Sequence, residues 1–390
     1  MNNLFLRVIK LIFKSLKIVL LSCLFAGSVS AAITPNPSAP KIAAKSYILQ
    51  DFASGRVLAE QNSEQRLPPA SITKLMTAYV VVNELANGKI NLADEVLISE
   101  KAWRMVGSRS FIEVNTKVPV EVLLRGMIIQ SGNDAAVALA EHIAGSEETF
   151  AQMMNQYAQQ LGMFNTNYQN ATGLPGVDHY TTAKDIAILS AAIIRNFPEE
   201  YKWYSEKEFT YNKITQHNRN KLLWRDTTVD GLKTGHTEEA GYCLAASAQR
   251  SGMRLVSVVL GTRSENARAQ ETQKLFNYGF RFFESHELYK AQDKIADIKV
   301  WKGAEKLLNL GLSESLAVSV SRGRYKELVA TTNIEQPIIA PISAGATLGK
   351  VSIHLGDELI ATQSLVALHD IEQGSWWRRL IDSILMMIFG

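Results

Sequence analysis

Two stretches of alternating, strand-forming residues bracket a long helical interval, and that arrangement limits the possible folds more than any other feature of the chain. Near the start, "SYILQD" and "RVLAEQ" flank "FASG"; far downstream, "GYCLAASAQR" and "MRLVSVVLG" meet across "SG". Each pair reads as a β-hairpin. Helical periodicity fills the interval: a run beginning near Ser71, two runs from Glu121 to Ala144 broken by "QSGND", and another over Asp185 to Arg195. Helices lying between an early and a late hairpin predict an α/β (α+β) domain in which an antiparallel sheet is covered by helices.

From about Tyr289 the texture changes. "IADIKVWK", "SLAVSVSR", "ELVATTN", "QPIIAPIS", "KVSIHLG" and "ELIATQSLVAL" are short alternating runs parted by Gly, Ser or Asn. They predict a small all-β sandwich. The expected organisation is an export signal over 1–32, a helix-covered sheet domain over 33–288, a β domain over 289–373 and a tail over 374–390. In the first segment Arg7, Lys10, Lys14 and Lys17 precede the apolar core "IVLLSCLFAG", and "SVSAA" offers small residues for cleavage near Ala31 or Ala32. Two domains suit a chain of 390 residues.

Composition removes several function classes. A net charge of +3 with no basic stripe leaves no nucleic-acid footprint. The seven histidines are scattered, and neither H-E-x-x-H nor a cysteine cluster is present, so no metal and no cofactor is expected. Cys23 lies inside the export segment. Cys243 is then alone, which excludes an internal disulfide and suits a buried packing thiol.

Three short motifs remain. "LPPASITKLM" places Ser71 and Lys74 three positions apart at an expected helix start, where they share one face. "SGN" spans Ser131 to Asn133 in the break between helical runs, and "KTG" spans Lys233 to Gly235 at the head of an expected strand. Singly, each has an ordinary explanation: a solvated lysine, an N-capping turn, a chance tripeptide. All three, in this order and each on a fitting element, do not.

With these motifs the chain resembles the serine-active penicillin-recognising proteins, whose signatures are S-x-x-K, S-x-N and K-T-G. Within them it is most similar to the D-alanyl-D-alanine carboxypeptidases with a C-terminal β domain and a membrane-binding tail. "NATGLPGVDHYTTA", "GLKTGHTEEAGYCL" and "GFRFFE" support the likeness, and Ser-Gly-Asn in place of Ser-Asp-Asn fits that branch. The resemblance implies a β-lactamase/transpeptidase-like fold. It also implies removal of the terminal D-alanine from peptidoglycan pentapeptides through a serine acyl-enzyme, with β-lactams as covalent inhibitors.

The residue types carry that chemistry. Ser71 would be the nucleophile, and Lys74, as a neutral amine, its general base; burial and a second cation, Lys233, would depress the amine's pKa. Ser131 would relay the proton to the leaving amine, and Asn133 would orient Lys74 and hold a substrate carbonyl. The backbone N–H groups of Ser71 and His236 would form the oxyanion hole. Lys233, Thr234 and Gly235 of the third motif would bind the substrate, with the terminal carboxylate on Lys233 and Thr234. Arg268 matches a family arginine serving the same carboxylate. His179, in "DHYTTAKD", is expected in a loop before a helix capped at Thr181 or Thr182, with Asp185 in its first turn.

Three alternatives use the same residues differently. A class A β-lactamase would need E-x-x-L-N between the second and third motifs, whereas "EKLLN", Glu305 to Asn309, follows the third. A D,D-endopeptidase would share the whole site. A non-catalytic peptidoglycan-binding scaffold would leave an intact Ser71, Lys74, Ser131, Asn133 and Lys233 unused.

The end of the chain, "SWWRRLIDSILMMIFG", sets Trp377, Leu380, Ile381, Ile384, Leu385 and Ile388 on one helical face and Arg378, Arg379 and Asp382 on the other. It is too short to span a bilayer. A helix lying on a membrane surface is expected, with an exported enzyme on the outer face of the cytoplasmic membrane. A helix docked on the β domain is the alternative. Oligomeric state is not fixed by any of these features.

Overall fold

The computed structural model describes residues 38–389, so the expected export signal lies outside the described residues. Strands β1 (Ser46–Asp51) and β2 (Val57–Gln61) form the first hairpin. A 3-10 turn over Ala70–Thr73 runs into helix α1 (Lys74–Ala86). Helices α2 (Val120–Ile129), α3 (Asn133–Ala144), α4 (Glu147–Gln160) and α5 (Ala183–Asn196) follow. Strands β3 (Val229–Thr237), β4 (Gly241–Arg250) and β5 (Met253–Thr262) then complete an antiparallel sheet of order β2-β1-β5-β4-β3. The third motif sits in the later half of β3 rather than at its head, because Val229 and Leu232 already pair with β4.

Both faces of this sheet are buried, which is why its central strands read as unbroken apolar runs. Ile48, Ala245, Val256, Val258 and Leu260 face the helical core built on α1 to α5. Tyr47, Leu49, Leu244, Ala246, Leu255 and Val259 face the other way, onto helix α6 (Glu265–Phe282) through Leu275 and Phe276. The two-residue period of a strand assigns each side chain to its layer. Cys243 lies in the helical core, unpaired, with its thiol pushed up to about 11 by burial.

Helix α6 passes directly into β6 (Phe283–Tyr289), which pairs with β9 (Leu316–Ser321). The other strands, β7 (Ala296–Trp301), β8 (Leu307–Gly311), β10 (Leu328–Ile334), β11 (Ile338–Ile339), β12 (Thr347–Leu355) and β13 (Glu358–Ala367), form one six-stranded sheet. Leu316 and Val318 of the ribbon pack on Val351, Ile353 and Leu365 of that sheet, giving the small β domain its core. At the junction Arg322 donates to the carbonyls of Phe280, Arg281 and Phe283, closing the end of α6.

Helix α7 (Trp376–Phe389) ends the described chain. It meets the β domain with its polar side: the Asp382 carboxylate accepts the Lys302 N–H at 2.6 Å, and Arg378 donates to the Ala304 carbonyl at 2.8 Å. Trp377, Ile381, Ile384 and Ile388 are left exposed. Among the described residues no helix is long and apolar enough to cross a membrane.

Candidate active site

Three segments converge beside the edge strand β3. Pro69, with φ near −74°, opens the 3-10 turn that carries Ser71, and the step to Lys74 begins α1. Gly235 permits close approach of β3: a Cβ there would stand 3.1 Å from both the Pro69 carbonyl oxygen and Ile72 Cγ1. Ser131, at φ +69°, bends the chain into α3 so that Asn133 starts the helix facing the turn. The buried Asp134 carboxylate accepts the Ser110 N–H at 2.8 Å, and Asn133 Nδ2 donates to the Val106 carbonyl at 2.6 Å. These bonds hold the 106–112 segment across the mouth of the site.

The Lys74 amine is the centre of the arrangement. Lys74 is 1% exposed. Its Nζ lies 3.2 Å from Ser71 Oγ, 2.7 Å from Asn133 Oδ1 and 2.5 Å from the Thr172 carbonyl oxygen. Burial brings its pKa down to about 7, with Arg219 adding to the shift and Asp134 and Glu147 opposing it. A neutral amine has two N–H bonds and one lone pair. Asn133 Oδ1 and the Thr172 carbonyl can only accept, so they take both N–H bonds and leave the lone pair for the Ser71 hydroxyl proton. That is the geometry of a general base.

Lys233 is 2% exposed, with Nζ donating to the Thr234 carbonyl at 3.2 Å. Burial pushes its ammonium well below the usual lysine range, and the charges of Lys74, Arg219 and Arg268 push the same way. The open cleft, of about 400 Å³, is lined instead by Ser71, Ser131, Asn133, Thr234, Gly235, His236 and Arg268 among others. Arg268 donates to the Gly235 carbonyl at 3.2 Å and lies over the Tyr242 ring, on which His236 also stacks with centroids 3.9 Å apart. The nine residues singled out in sequence thus gather in one place, with Lys233 buried beside Thr234.

Residues 33–264 match the family described as D-alanyl-D-alanine carboxypeptidase, and residues 283–373 match the penicillin-binding protein 5 C-terminal domain. The chain belongs to the D-alanyl-D-alanine carboxypeptidase family. It is 42% identical to the D-alanyl-D-alanine carboxypeptidase DacC of Escherichia coli over 93% of this chain and 92% of that one. It is also 42% identical to DacA of Haemophilus influenzae, over 97% and 98%. A solved structure of penicillin binding protein 5 from Haemophilus influenzae superposes with a TM-score of 0.83 at 43% identity, over 86% of this chain and all of that one. The α+β fold with a C-terminal β domain is therefore the family's.

Motif reading alone missed Arg219 and Thr172. Arg219 lines the cleft from a loop that its neighbours immobilise: Asn218 Nδ2 donates to the Tyr204 and Glu206 carbonyls, and Asn220 Nδ2 donates to the Gly231 carbonyl. An arginine between two asparagines was the available signal. Thr172 contributes a main-chain carbonyl, for which a sequence carries no side-chain signal. Among the described residues no group of three His, Cys, Asp or Glu side chains is placed to hold a metal ion.

Gly173 has φ +84°, and a Cβ on it would stand 1.8 Å from the Ala70 carbonyl oxygen, inside the 3-10 turn that carries Ser71. Gly173→Ala therefore has to displace Ser71 or the Thr172 carbonyl. Its acylation rate with benzylpenicillin should fall by about a hundredfold, the usual effect of a displacement of about 1 Å in a reacting pair. A stopped-flow rate near that of the wild type would show that the two segments are not held in contact.

Proposed function

We propose that the protein is an exported serine carboxypeptidase that removes the terminal D-alanine of peptidoglycan pentapeptides and is acylated by β-lactams at Ser71. The observation that carries this reading is the Lys74 amine, buried and hydrogen-bonded so that its lone pair meets the Ser71 hydroxyl. Lys74 takes the Ser71 proton as Oγ bonds the carbonyl carbon of the penultimate D-alanine. The Ser71 and His236 N–H groups hold the oxyanion. As the C–N bond breaks, the proton passes to the departing D-alanine through Ser131, whose Oγ is buried with no hydrogen-bond partner among the described residues. Water then hydrolyses the ester. Thr234, Arg268 and Arg219 meet the terminal carboxylate, and Lys233 stands with them on the third motif. Glu305 of "EKLLN" lies in the β domain, 3.7 Å from His369, a position that favours a carboxypeptidase over a class A β-lactamase.

The test is D-alanine release from a pentapeptide beside penicillin labelling. Benzylpenicillin should add its whole mass to the peptide "LPPASITK", and Ser71→Ala should lose both label and turnover. Full labelling of Ser71→Ala overturns the reading.

Only the neutral amine accepts a proton, so kcat/KM should rise with pH through about 7 and then level off. Lys74→Arg keeps the charge without a usable lone pair and should lose about a hundredfold or more in acylation. The limb's midpoint, from a pH series at low substrate, checks the assignment.

The tail gives the membrane reading. Its polar side is occupied by Lys302 and Ala304 of the β domain, and its tryptophans and isoleucines face outward. Such a helix suits the interface of an anionic membrane, with Trp at headgroup level, and would hold the enzyme on the outer face of the cytoplasmic membrane. Truncation before Ser375 should abolish sedimentation with anionic vesicles while hydrolysis of soluble peptide continues. A truncated protein that still pellets rules out the tail as anchor.

A further inference from the structure

His179 is buried next to the site, yet nothing in the proposed chemistry uses it. Its Nε2 lies 3.1 Å from Thr73 Oγ1, and its Nδ1 lies 3.2 Å from Asn170 Nδ2. Thr73 belongs to the 3-10 turn, between Ser71 and Lys74. Asn170 belongs to the opposite segment, the one that delivers the Thr172 carbonyl to the Lys74 amine.

The network fixes the protons without ambiguity. Asn170 Oδ1 accepts from the Thr172 N–H at 3.1 Å, the Thr172 hydroxyl at 2.9 Å and the Gly173 N–H at 2.7 Å. With three donors on that oxygen, the amide cannot be flipped, and Nδ2 is the atom facing the histidine. Nδ2 also donates to the Leu174 carbonyl at 3.0 Å. His179 Nδ1 must then accept, the proton sits on Nε2, and Nε2–H donates to Thr73. Burial, with the Tyr168 ring edge-on against it, holds the imidazole neutral, its pKa down to about 4. An imidazolium would set an N–H against the Asn170 NH₂.

We infer that His179 is a positioning residue for acylation: its neutral ring ties the nucleophile turn to the Asn170–Leu174 segment and so fixes the Thr172 carbonyl against Lys74, which leaves the amine's lone pair aimed at Ser71. Without that tie the carbonyl is free to drift, the amine rotates, and its lone pair spends less time on the Ser71 proton. This inference rests on Lys74 as the general base. The charged and titratable groups acting on that amine are Asp134, Glu147 and Arg219, with Lys233 close behind, and none of them touches His179.

The experiment compares His179→Ala, His179→Asn and His179→Gln in the full chain. The readouts are the acylation rate constant with benzylpenicillin, the pre-covalent dissociation constant, the pH limb and thermal stability. Gln keeps an amide near the Nε2 position and can still reach Thr73; Asn keeps one near Nδ1 and cannot. His179→Ala should lose about tenfold to a hundredfold in the acylation rate constant. The pre-covalent constant should stay within about twofold of the wild type, because Thr234, Arg219 and Arg268, proposed to meet the substrate anion, lie on other segments. Losing the Thr172 carbonyl removes a contact that favours the ammonium, so the acid limb should move to lower pH by about half a unit. The Gln variant should recover most of the rate and the Asn variant less, and these two carry the test if Ala fails to fold. A lower melting temperature with acylation rate and limb unchanged makes His179 a packing residue and overturns the inference, as does a loss confined to pre-covalent binding. Lys74→Arg is measured alongside. Normal acylation in that variant sinks the base reading itself, whereas a dead Lys74→Arg beside normal His179 variants sinks only this inference.

Discussion

The rest of the site is organised around one unfavourable act, the burial of a lysine amine. At 1% exposure Lys74 cannot hold its charge cheaply, and desolvation lowers its pKa more than any neighbouring charge does. The groups around it are arranged to make the neutral form specific rather than merely tolerated. Two obligate acceptors, Asn133 Oδ1 and the Thr172 carbonyl, leave one direction for the lone pair. The 3-10 turn puts Ser71 in that direction, since residues three apart share a face at the start of α1. A surface lysine at the same spacing would have neither the lowered pKa nor a fixed lone pair.

The fold supplies the burial. Helices α1, α3 and α4 pack in the core that covers one face of the five-stranded sheet, and the amine sits at the edge of that core. Edge strand β3 closes the remaining side, and Gly235 lets it come within contact of Pro69. The second layer, through α6, continues into the β domain without a linker, so Arg322, just past β9, can reach the end of α6. The catalytic centre is thus positioned by main-chain approaches that single side chains then lock.

Much of this was readable in the sequence because it is written in periodicity and in side chains with few other uses. The two hairpins, the helices between them and the change of texture near Tyr289 follow from alternation of two and of about four residues. Ser71, Lys74, Ser131, Asn133 and Arg268 gather as their spacing and family resemblance suggested. What was not readable depends on the main chain or on depth. Thr172 acts through a carbonyl that any residue would provide. The depth of Lys233 was not readable either: it is 2% exposed, and its Nζ donates to the Thr234 carbonyl. Arg219 reaches the cleft only through a loop whose path Asn218 and Asn220 set.

Positive charge is crowded here beyond what catalysis of proton transfer requires. Lys233, Arg219 and Arg268 all act on one another or on Lys74, and Glu265 beside Arg268 offsets only part of that repulsion. In the free enzyme burial and this crowding lower both amines, Lys74 to about 7 and Lys233 well below the usual lysine range. In the proposed reaction a substrate carboxylate that meets Thr234, Arg268 and Arg219 would relieve part of this repulsion. In that reaction Arg219 would serve both ends: it helps to lower the Lys74 pKa before binding, and with Arg268 it would favour a substrate that ends in a free acid. An arriving anion also steadies any proton left on Lys74, and the guanidinium groups that meet it offset part of that field.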